Sequence, residues 1–256
     1  RLTIPENLKS GVYAIRLRAG DGTGLGEEYL VFFVRAKTPK APIALLIPTA
    51  SYLAYANDHL TFDAQMAQPI VGQTPIITDI DIEVYQSPEF GLSTYDHHRD
   101  GAGVCYSSYR RPIVGMRPKY RNAMNGITWQ FPADLSIVAW LEHCNYDYEV
   151  LTDEDLHLEG VDALAPYKCV ITGTHPEYYS ETMLDATEDF VAGGGRLIYM
   201  GGNGYYWNVD FCQDEPWCME ARKLDSGMRA WNAKPGEHYM QTTGQKGGLW
   251  KNLGRP

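Results

Sequence analysis

The stretch VITGTHPEYYSETMLDATEDFVAGGG, residues 170–195, decides the fold because it joins a strand, a turn and a helix. Its first residues form an apolar run typical of a buried strand. Ser180 is a natural N-cap, and glycines 193–195 end the predicted helix. One face of this helix is shared by Met183, Thr187, Phe190 and Val191. A strand that leads through a short turn into a helix is the repeating unit of parallel α/β sheets.

Strand and helix patterns alternate on both sides of this stretch. Predicted strands are PIALLIPT (42–49), YEVLT (148–152), KCVITG (168–173) and RLIYMGG (196–202). A further helix is predicted in PADLSIVAWLEHCNY (132–146), with Leu135, Val138, Ala139 and Glu142 at helical spacing. Residues 50–130 show little periodicity and are interpreted as functional loops or an insertion, and residues beyond Asn203 have no clear assignment. The fold class predicted is α/β, a parallel sheet flanked by helices and joined by right-handed crossovers.

The first residues have a different character. Residues 11–36 predict two strands around a Gly/Asp-rich turn, and KTPKAP (37–42) reads as a linker. Two strands are too few for a domain, so we interpret them as the last strands of a β-sandwich. The predicted division is therefore 1–38, sandwich strands plus linker, and 39–256, an α/β catalytic domain truncated at its C-terminus.

Composition excludes some classes of partner. The net charge is −10, from 22 Lys and Arg against 32 Asp and Glu, which argues against binding to nucleic acid or to an anionic membrane. No apolar run reaches the roughly 20 residues of a membrane span. Five cysteines without a CxxC pair are typical of reduced thiols and predict a cytoplasmic protein, although Cys212 and Cys218 could bridge.

The turn THPEYY carries the most reactive side chains. Ligands gather at the carboxyl ends of parallel strands, where helix N-termini are also found. Pro176 favours an extended conformation at His175, which directs His175 and Glu177 to the same side. Asn203, in the glycine-rich segment after the next strand, is expected nearby. A solvated or capping role for these side chains remains the alternative.

The arrangement resembles the class I glutamine amidotransferase-like fold, but it departs from that fold at the nucleophile. Those enzymes carry a cysteine on the tight turn after a strand. Here Cys169 falls inside the predicted strand and should be buried, which disfavours thiol catalysis. No GxSxG elbow or P-loop offers another nucleophile or phosphate site.

Four segments together resemble the large (beta) subunit of N,N-dimethylformamidase and its relatives: PTASYLAYANDH (48–59), LSTYDHHRDG (92–101), GTHPEYYS (173–180) and MGGNGYYW (200–207). The resemblance covers residues 42–256, and the first strands match the sandwich that precedes this domain in the family. It implies hydrolysis of a small N-substituted formamide to formate and an amine. It also implies a small partner subunit and a higher oligomer.

The same resemblance implies a mononuclear ferric iron held by two tyrosines and a glutamate. Tyr55, Tyr95 and Glu177 match these ligands, with Tyr52 as the rival of Tyr55. His175 and Asn203 match the family's catalytic groups, while a further catalytic carboxylate would lie beyond this chain. Phenolate and carboxylate are hard oxygen donors suited to Fe³⁺, and only a strong Lewis acid would keep two phenols of pKa about 10 deprotonated. A cluster of Tyr178, Tyr179, Tyr205, Tyr206 and Trp207 would supply an apolar wall.

Two alternatives remain open at this point. His97 and His98 could join His175 and Glu177 in a zinc site, although adjacent histidines on one strand point to opposite faces. The other alternative is a non-catalytic amidotransferase-like module that binds a ligand or a carbohydrate through its aromatic side chains.

Overall fold

A computed structural model describes residues 3–20, 26–63, 72–224, 226–227 and 230–255. The strands are β1 (Gly11–Arg18), β2 (Glu27–Val34), β3 (Ile43–Ile47), β4 (Tyr106–Ser108), β5 (Tyr148–Thr152), β6 (Cys169–Thr172), β7 (Tyr178–Tyr179), β8 (Arg196–Ile198), β9 (Trp207–Cys212) and β10 (Glu215–Ala221). The α-helices are α1 (Thr49–Ala54), α2 (Leu60–Asp63), α3 (Asp79–Gln86), α4 (Phe131–His143), α5 (Asp153–Glu159), α6 (Val161–Leu164) and α7 (Glu181–Ala192). Single 3₁₀ turns occupy Pro88–Phe90, Val114–Met116 and Trp250–Leu253.

The predicted parallel sheet is present, in the order β5-β3-β6-β8. Its central strand β3 is almost entirely buried, as expected for a continuous apolar run covered on both faces. One core includes Leu46, Val170 and Met183, and the other includes Leu45, Ile171 and Leu141. All four strands were predicted from sequence, and the mixed α/β class is confirmed.

A second four-stranded sheet, in the order β4-β10-β9-β7, was not predicted. Its pairs are antiparallel except β7 with β9, and β9 and β10 come from the segment after Asn203 that lacked an assignment. This sheet brings Tyr178 and Trp207 into register as neighbours. The turn THPEYY therefore leads directly, through β7, into this second sheet.

Both predicted helices are present. Ser180 caps α7, its Oγ accepting from the Met183 N–H at 3.3 Å, and Val191 on the predicted shared face is exposed. In α4, Leu135 and Val138 pack against the core, although neither is fully buried. The helix carries apolar side chains around most of its circumference, so the pattern alone does not select its most buried side chains.

The N-terminal strands β1 and β2 form the predicted antiparallel hairpin, and the turn at 21–25 lies outside the described residues. Val12, Val31 and Phe33 pack against the core that contains Leu45. The sandwich and the division at residue 38 stay predictions.

The remaining predictions concern thiols, loops and membranes. All five cysteines are free, Cys169 is half-buried and Cys144 is exposed. Residues 50–130, expected to be loops, also contain α1 to α3 and β4 where they are described. Within the described ranges, no helix is long and apolar enough to cross a membrane.

Candidate metal centre

The turn that follows β6 is held from the side by the first turn of α1. Ser51 Oγ donates to the carbonyl of His175 at 2.6 Å and accepts from the Glu177 N–H at 3.1 Å. Gly173 makes this approach sterically feasible, since a Cβ there would lie 2.3 Å from Cδ of Pro48. One hydroxyl thus sets the direction of both functional residues of the turn.

The segment before β9 lies along the other side of the same turn. Gly202 N–H donates to the Thr174 carbonyl at 3.2 Å, and Trp207 N–H donates to the Glu177 carbonyl at 2.9 Å. A Cβ at Gly201 would lie 2.4 Å from Cδ of Pro176, so only glycine permits this contact. The turn is therefore clamped between α1 and the glycine-rich segment predicted to approach it.

The three side chains predicted to bind the metal through oxygen converge beside this turn. Tyr55 Oη donates to Glu177 Oε2 at 2.7 Å, and Tyr95 Oη donates to Tyr55 Oη at 2.5 Å. The two rings stack with centroids 4.3 Å apart. Tyr178 extends the chain of phenols by donating to Tyr95 Oη at 2.7 Å. Side chains separated by some 120 residues in sequence thus form one continuous hydrogen-bonded cluster.

The loop that carries Tyr95 is tied to the end of α1. Thr94 donates twice to the Ala54 carbonyl, from its backbone nitrogen at 3.1 Å and from Oγ1 at 3.0 Å. Asp96 accepts from the N–H of Ser93 at 2.7 Å and closes the turn. Since Tyr55 follows α1 directly, these contacts fix the two phenols relative to each other.

An imidazole and two indoles complete the surroundings of the carboxylate. His175 Nε2 lies 2.9 Å from Glu177 Oε2, and Trp207 Nε1 donates to Glu177 Oε1 at 3.2 Å. The ring of Trp129 packs against His175 with centroids 4.7 Å apart. Glu177 is buried, yet both of its oxygens are engaged, as a buried carboxylate requires.

Burial controls the protonation of the phenols. Desolvation, reinforced by their mutual proximity and by Glu177, raises the pKa of Tyr55 well above the ordinary value. Burial, and to a smaller extent the negative charge of Glu177, also raises the pKa of Tyr95 well above the ordinary value. Both side chains are therefore phenols at neutral pH unless a cation displaces their protons. The donor set of two potential phenolates and one carboxylate fits a hard, highly charged cation such as Fe³⁺.

Lys223 is a member of the site that sequence reasoning missed. It is 1% exposed, and its Nζ lies 2.8 Å from the centroid of the Tyr95 ring and 5.0 Å from that of Trp207. Nζ has no hydrogen-bond partner in the described part of the chain. Burial lowers the pKa of the Lys223 ammonium well below its ordinary value, although the nearby carboxylates oppose this shift. No local pattern around residue 223 marks it, because its role depends entirely on the pairing of distant segments.

Other predicted residues lie elsewhere. Tyr52, the rival of Tyr55, packs in the opposite core, and its hydroxyl donates to Asp134. Asn203 is exposed at a left-handed φ of 49°, and no hydrogen bond in the described ranges connects it to the cluster. Of the proposed apolar wall, Tyr178 and Trp207 border the cluster directly, whereas Tyr179 packs against Tyr205.

The alternative zinc site has no geometric support. His97 is half-buried and His98 is exposed. Among the residues whose positions are described, no group of three or more His, Cys, Asp or Glu side chains could hold a metal ion.

Fold and site together define an α/β domain with a buried tyrosine–carboxylate cluster at the carboxyl edge of its parallel sheet. The chain belongs to the family described as N,N-dimethylformamidase beta subunit-like, C-terminal, whose sequence model matches residues 1–256. It is 44% identical over 257 residues to the N,N-dimethylformamidase beta subunit of Paracoccus aminophilus, and 44% identical over 256 residues to that of Alcaligenes sp.. Each match covers 99% of this chain and 33% of the relative, so the chain spans about a third of these relatives. The family resemblance predicted from four motifs is confirmed.

Proposed function

We propose that this chain holds the metal centre of an amide-cleaving hydrolase, and that the complete enzyme converts a small N-substituted formamide to formate and an amine. The observation that carries the proposal is the convergence of Tyr55 Oη, Tyr95 Oη and Glu177 Oε2 within hydrogen-bond distance. The names of the relatives support N,N-dimethylformamide as the substrate. The proposal includes the fold: the parallel sheet and its helices would belong to the class I glutamine amidotransferase-like fold.

Tyr55, Tyr95 and Glu177 would hold a mononuclear ferric ion. When bound, that ion would supply a Lewis acid and an activated water. Two phenolates and a carboxylate carry three negative charges, which balance Fe³⁺ in a site that desolvation would otherwise make costly. Lys223, above the Tyr95 ring, would favour the deprotonated form of that ring whenever the amine carries its proton.

The neighbouring residues would manage protons and orientation. An amine leaves an amide readily only when it is protonated, and His175, 2.9 Å from Glu177 Oε2, is placed to carry that proton. Asn203 would donate its amide N–H to the developing oxyanion after its exposed side chain turned inward. A Cβ at Gly202 would lie 3.9 Å from His175 Nδ1, so the loop that bears Asn203 already adjoins the imidazole.

Assembly belongs to the same proposal. The relatives are named as beta subunits, which supports a small partner subunit and a higher oligomer for the complete protein.

The test is hydrolysis of N,N-dimethylformamide by the full-length protein with its partner subunit, assayed by release of formate and dimethylamine. Glu177→Gln should remove both iron and hydrolysis, because it replaces a charged ligand by a neutral amide. Glu149→Gln is the matched control: Glu149 is also buried, but it accepts from the Lys40 and Ala41 N–H groups and the Tyr167 hydroxyl, away from the cluster. Iron and hydrolysis retained in Glu177→Gln would overturn the proposal. A metal-free wild type with measurable affinity for a sugar would favour a non-catalytic binding module.

A further inference from the structure

A cavity of about 40 Å³ lies beside the cluster and shares Tyr55 with it. Trp129, which packs against both Tyr55 and His175, forms part of the same wall. On this measure a water molecule needs roughly 10–15 Å³, so the cavity has room for about three waters or the polar end of a small amide. The cavity therefore adjoins the predicted ligand Tyr55 and has room for the polar end of the proposed substrate.

Gln130 is the unexplained polar group of this cavity. It is 4% exposed, and neither Nε2 nor Oε1 has a hydrogen-bond partner among the residues with described positions. A buried amide normally engages both atoms, because leaving them unpaired forfeits their hydration without compensation. Its backbone also adopts φ 54°, ψ −127°, a region that disfavours every residue except glycine. Gln130, with its unfavourable backbone conformation and unpaired side chain, lies immediately before the first residue of α4 and directly after Trp129.

The other amides on the cavity wall are already engaged. Asn57 donates to the carbonyls of Phe90 and Pro112 and accepts from the Val114 N–H. Asn122 Oδ1 accepts from the Met124 N–H. These side chains hold the loops in place, whereas Gln130 presents a donor and an acceptor with no role in the protein's own structure.

We propose that this cavity receives the amide group of the substrate, and that Gln130 recognises it by donating from Nε2 to the carbonyl oxygen. A tertiary amide has no N–H, so its carbonyl oxygen is the atom through which it hydrogen-bonds, and Nε2 supplies a donor of matching polarity. Oε1 then remains available to accept from a water. This inference rests on the proposed function, since it places the substrate next to Tyr55.

The experiment compares Gln130→Met and Gln130→Glu with the wild type in the full-length protein. Methionine keeps the length and removes both polar atoms, while glutamate keeps the shape and removes the donor. Each variant should keep its iron and lose about tenfold in kcat/KM, mainly through KM, because one hydrogen bond to bound substrate is lost. Gln130→Met should also raise the thermal midpoint of the metal-free protein, since it removes two unpaired buried atoms.

Leu141→Met is the matched control, because it changes a fully buried apolar side chain of α4, away from the cavity and at nearly constant volume, and should leave kcat/KM within about twofold. A kcat/KM within twofold of wild type for both Gln130 variants would overturn the inference. Loss of iron and of thermal stability in both would overturn it too, by assigning Gln130 a structural role.

Binding of N,N-dimethylacetamide, measured by saturation-transfer NMR on the same proteins, separates this inference from the proposed function. Binding that depends on Gln130 in a protein without hydrolytic activity would support the inference and contradict the proposed function. Hydrolysis with no dependence on Gln130 would do the reverse, and a wild type with neither binding nor hydrolysis would overturn both.

Discussion

Replacing Tyr55 by phenylalanine tests the site against a control only three residues away. In the metal-free protein the Tyr55 hydroxyl donates to the Glu177 carboxylate and accepts from Tyr95. A hydrogen bond to a charged group contributes about 1.5–3 kcal/mol and one between neutral groups about 0.5–1.5 kcal/mol. Tyr55→Phe should therefore lower the free energy of unfolding by about 2–4.5 kcal/mol. Tyr52→Phe, which also removes a buried phenol–carboxylate hydrogen bond, should lower it by about 1.5–3 kcal/mol.

Iron binding should separate the two variants, although their stabilities are similar. The assay is urea unfolding of the metal-free proteins, followed by titration with ferric iron in the presence of a competing chelator. Tyr55→Phe removes a ligand and should weaken iron binding by more than about a hundredfold, beyond the usual effect of changing a residue that only supports a ligand. Tyr52→Phe should bind iron as the wild type does, because its hydroxyl lies in the opposite core. Equal loss of iron in both variants would refute the assignment of Tyr55, since the loss would then follow stability alone.

Two further predictions concern charged groups near the cluster. Lys223→Met should raise the free energy of unfolding of the metal-free protein, measured in urea, by about 1–3 kcal/mol, because it removes a buried amine without a hydrogen-bond partner. A lower free energy of unfolding would mean that the contact of the amine with the Tyr95 ring outweighs the cost of its desolvation. Burial and the charge of Asp96 raise the pKa of Asp58 to about 7. The contribution of Asp58 to the free energy of unfolding is therefore complete below about pH 4 and is lost as the pH rises through about 7. Asp58→Asn cannot titrate, and its stability relative to wild type should rise across that window by up to about 4 kcal/mol and stay level above it. Parallel pH profiles for the two proteins would contradict this.

Local patterns in the sequence were sufficient for the parallel sheet. The apolar run of β3 and the capped helix after Ser180 are marked by features within a few residues, and both are where they were predicted. The pattern of α4 did not identify its most buried side chains, because Val138 and Ile137 are both apolar and only the neighbouring layers decide which one is fully covered. The alternation of Trp207, Val209 and Phe211 with polar residues is a local strand signal, so β9 could have been predicted, whereas β10 contains Pro216 and a buried Glu220 and lacks that pattern.

The site could be predicted only in part, for a related reason. His175 and Glu177 share one turn, so local geometry was enough to place them together. Nothing local connects Tyr55 or Tyr95 to that turn, and the family resemblance alone indicated both. Lys223 and Gln130 were not predicted, because each becomes buried without a hydrogen-bond partner only when distant segments pack together.

The central claim is tested most directly by metal analysis of the full-length protein together with its visible absorption spectrum. We expect about one ferric ion per chain and a tyrosinate band that weakens and shifts in Tyr95→Phe, because the Tyr55 phenolate remains as a ligand. A protein that holds zinc and has no visible band, or one that binds no metal when supplied with ferric iron, would contradict the claim.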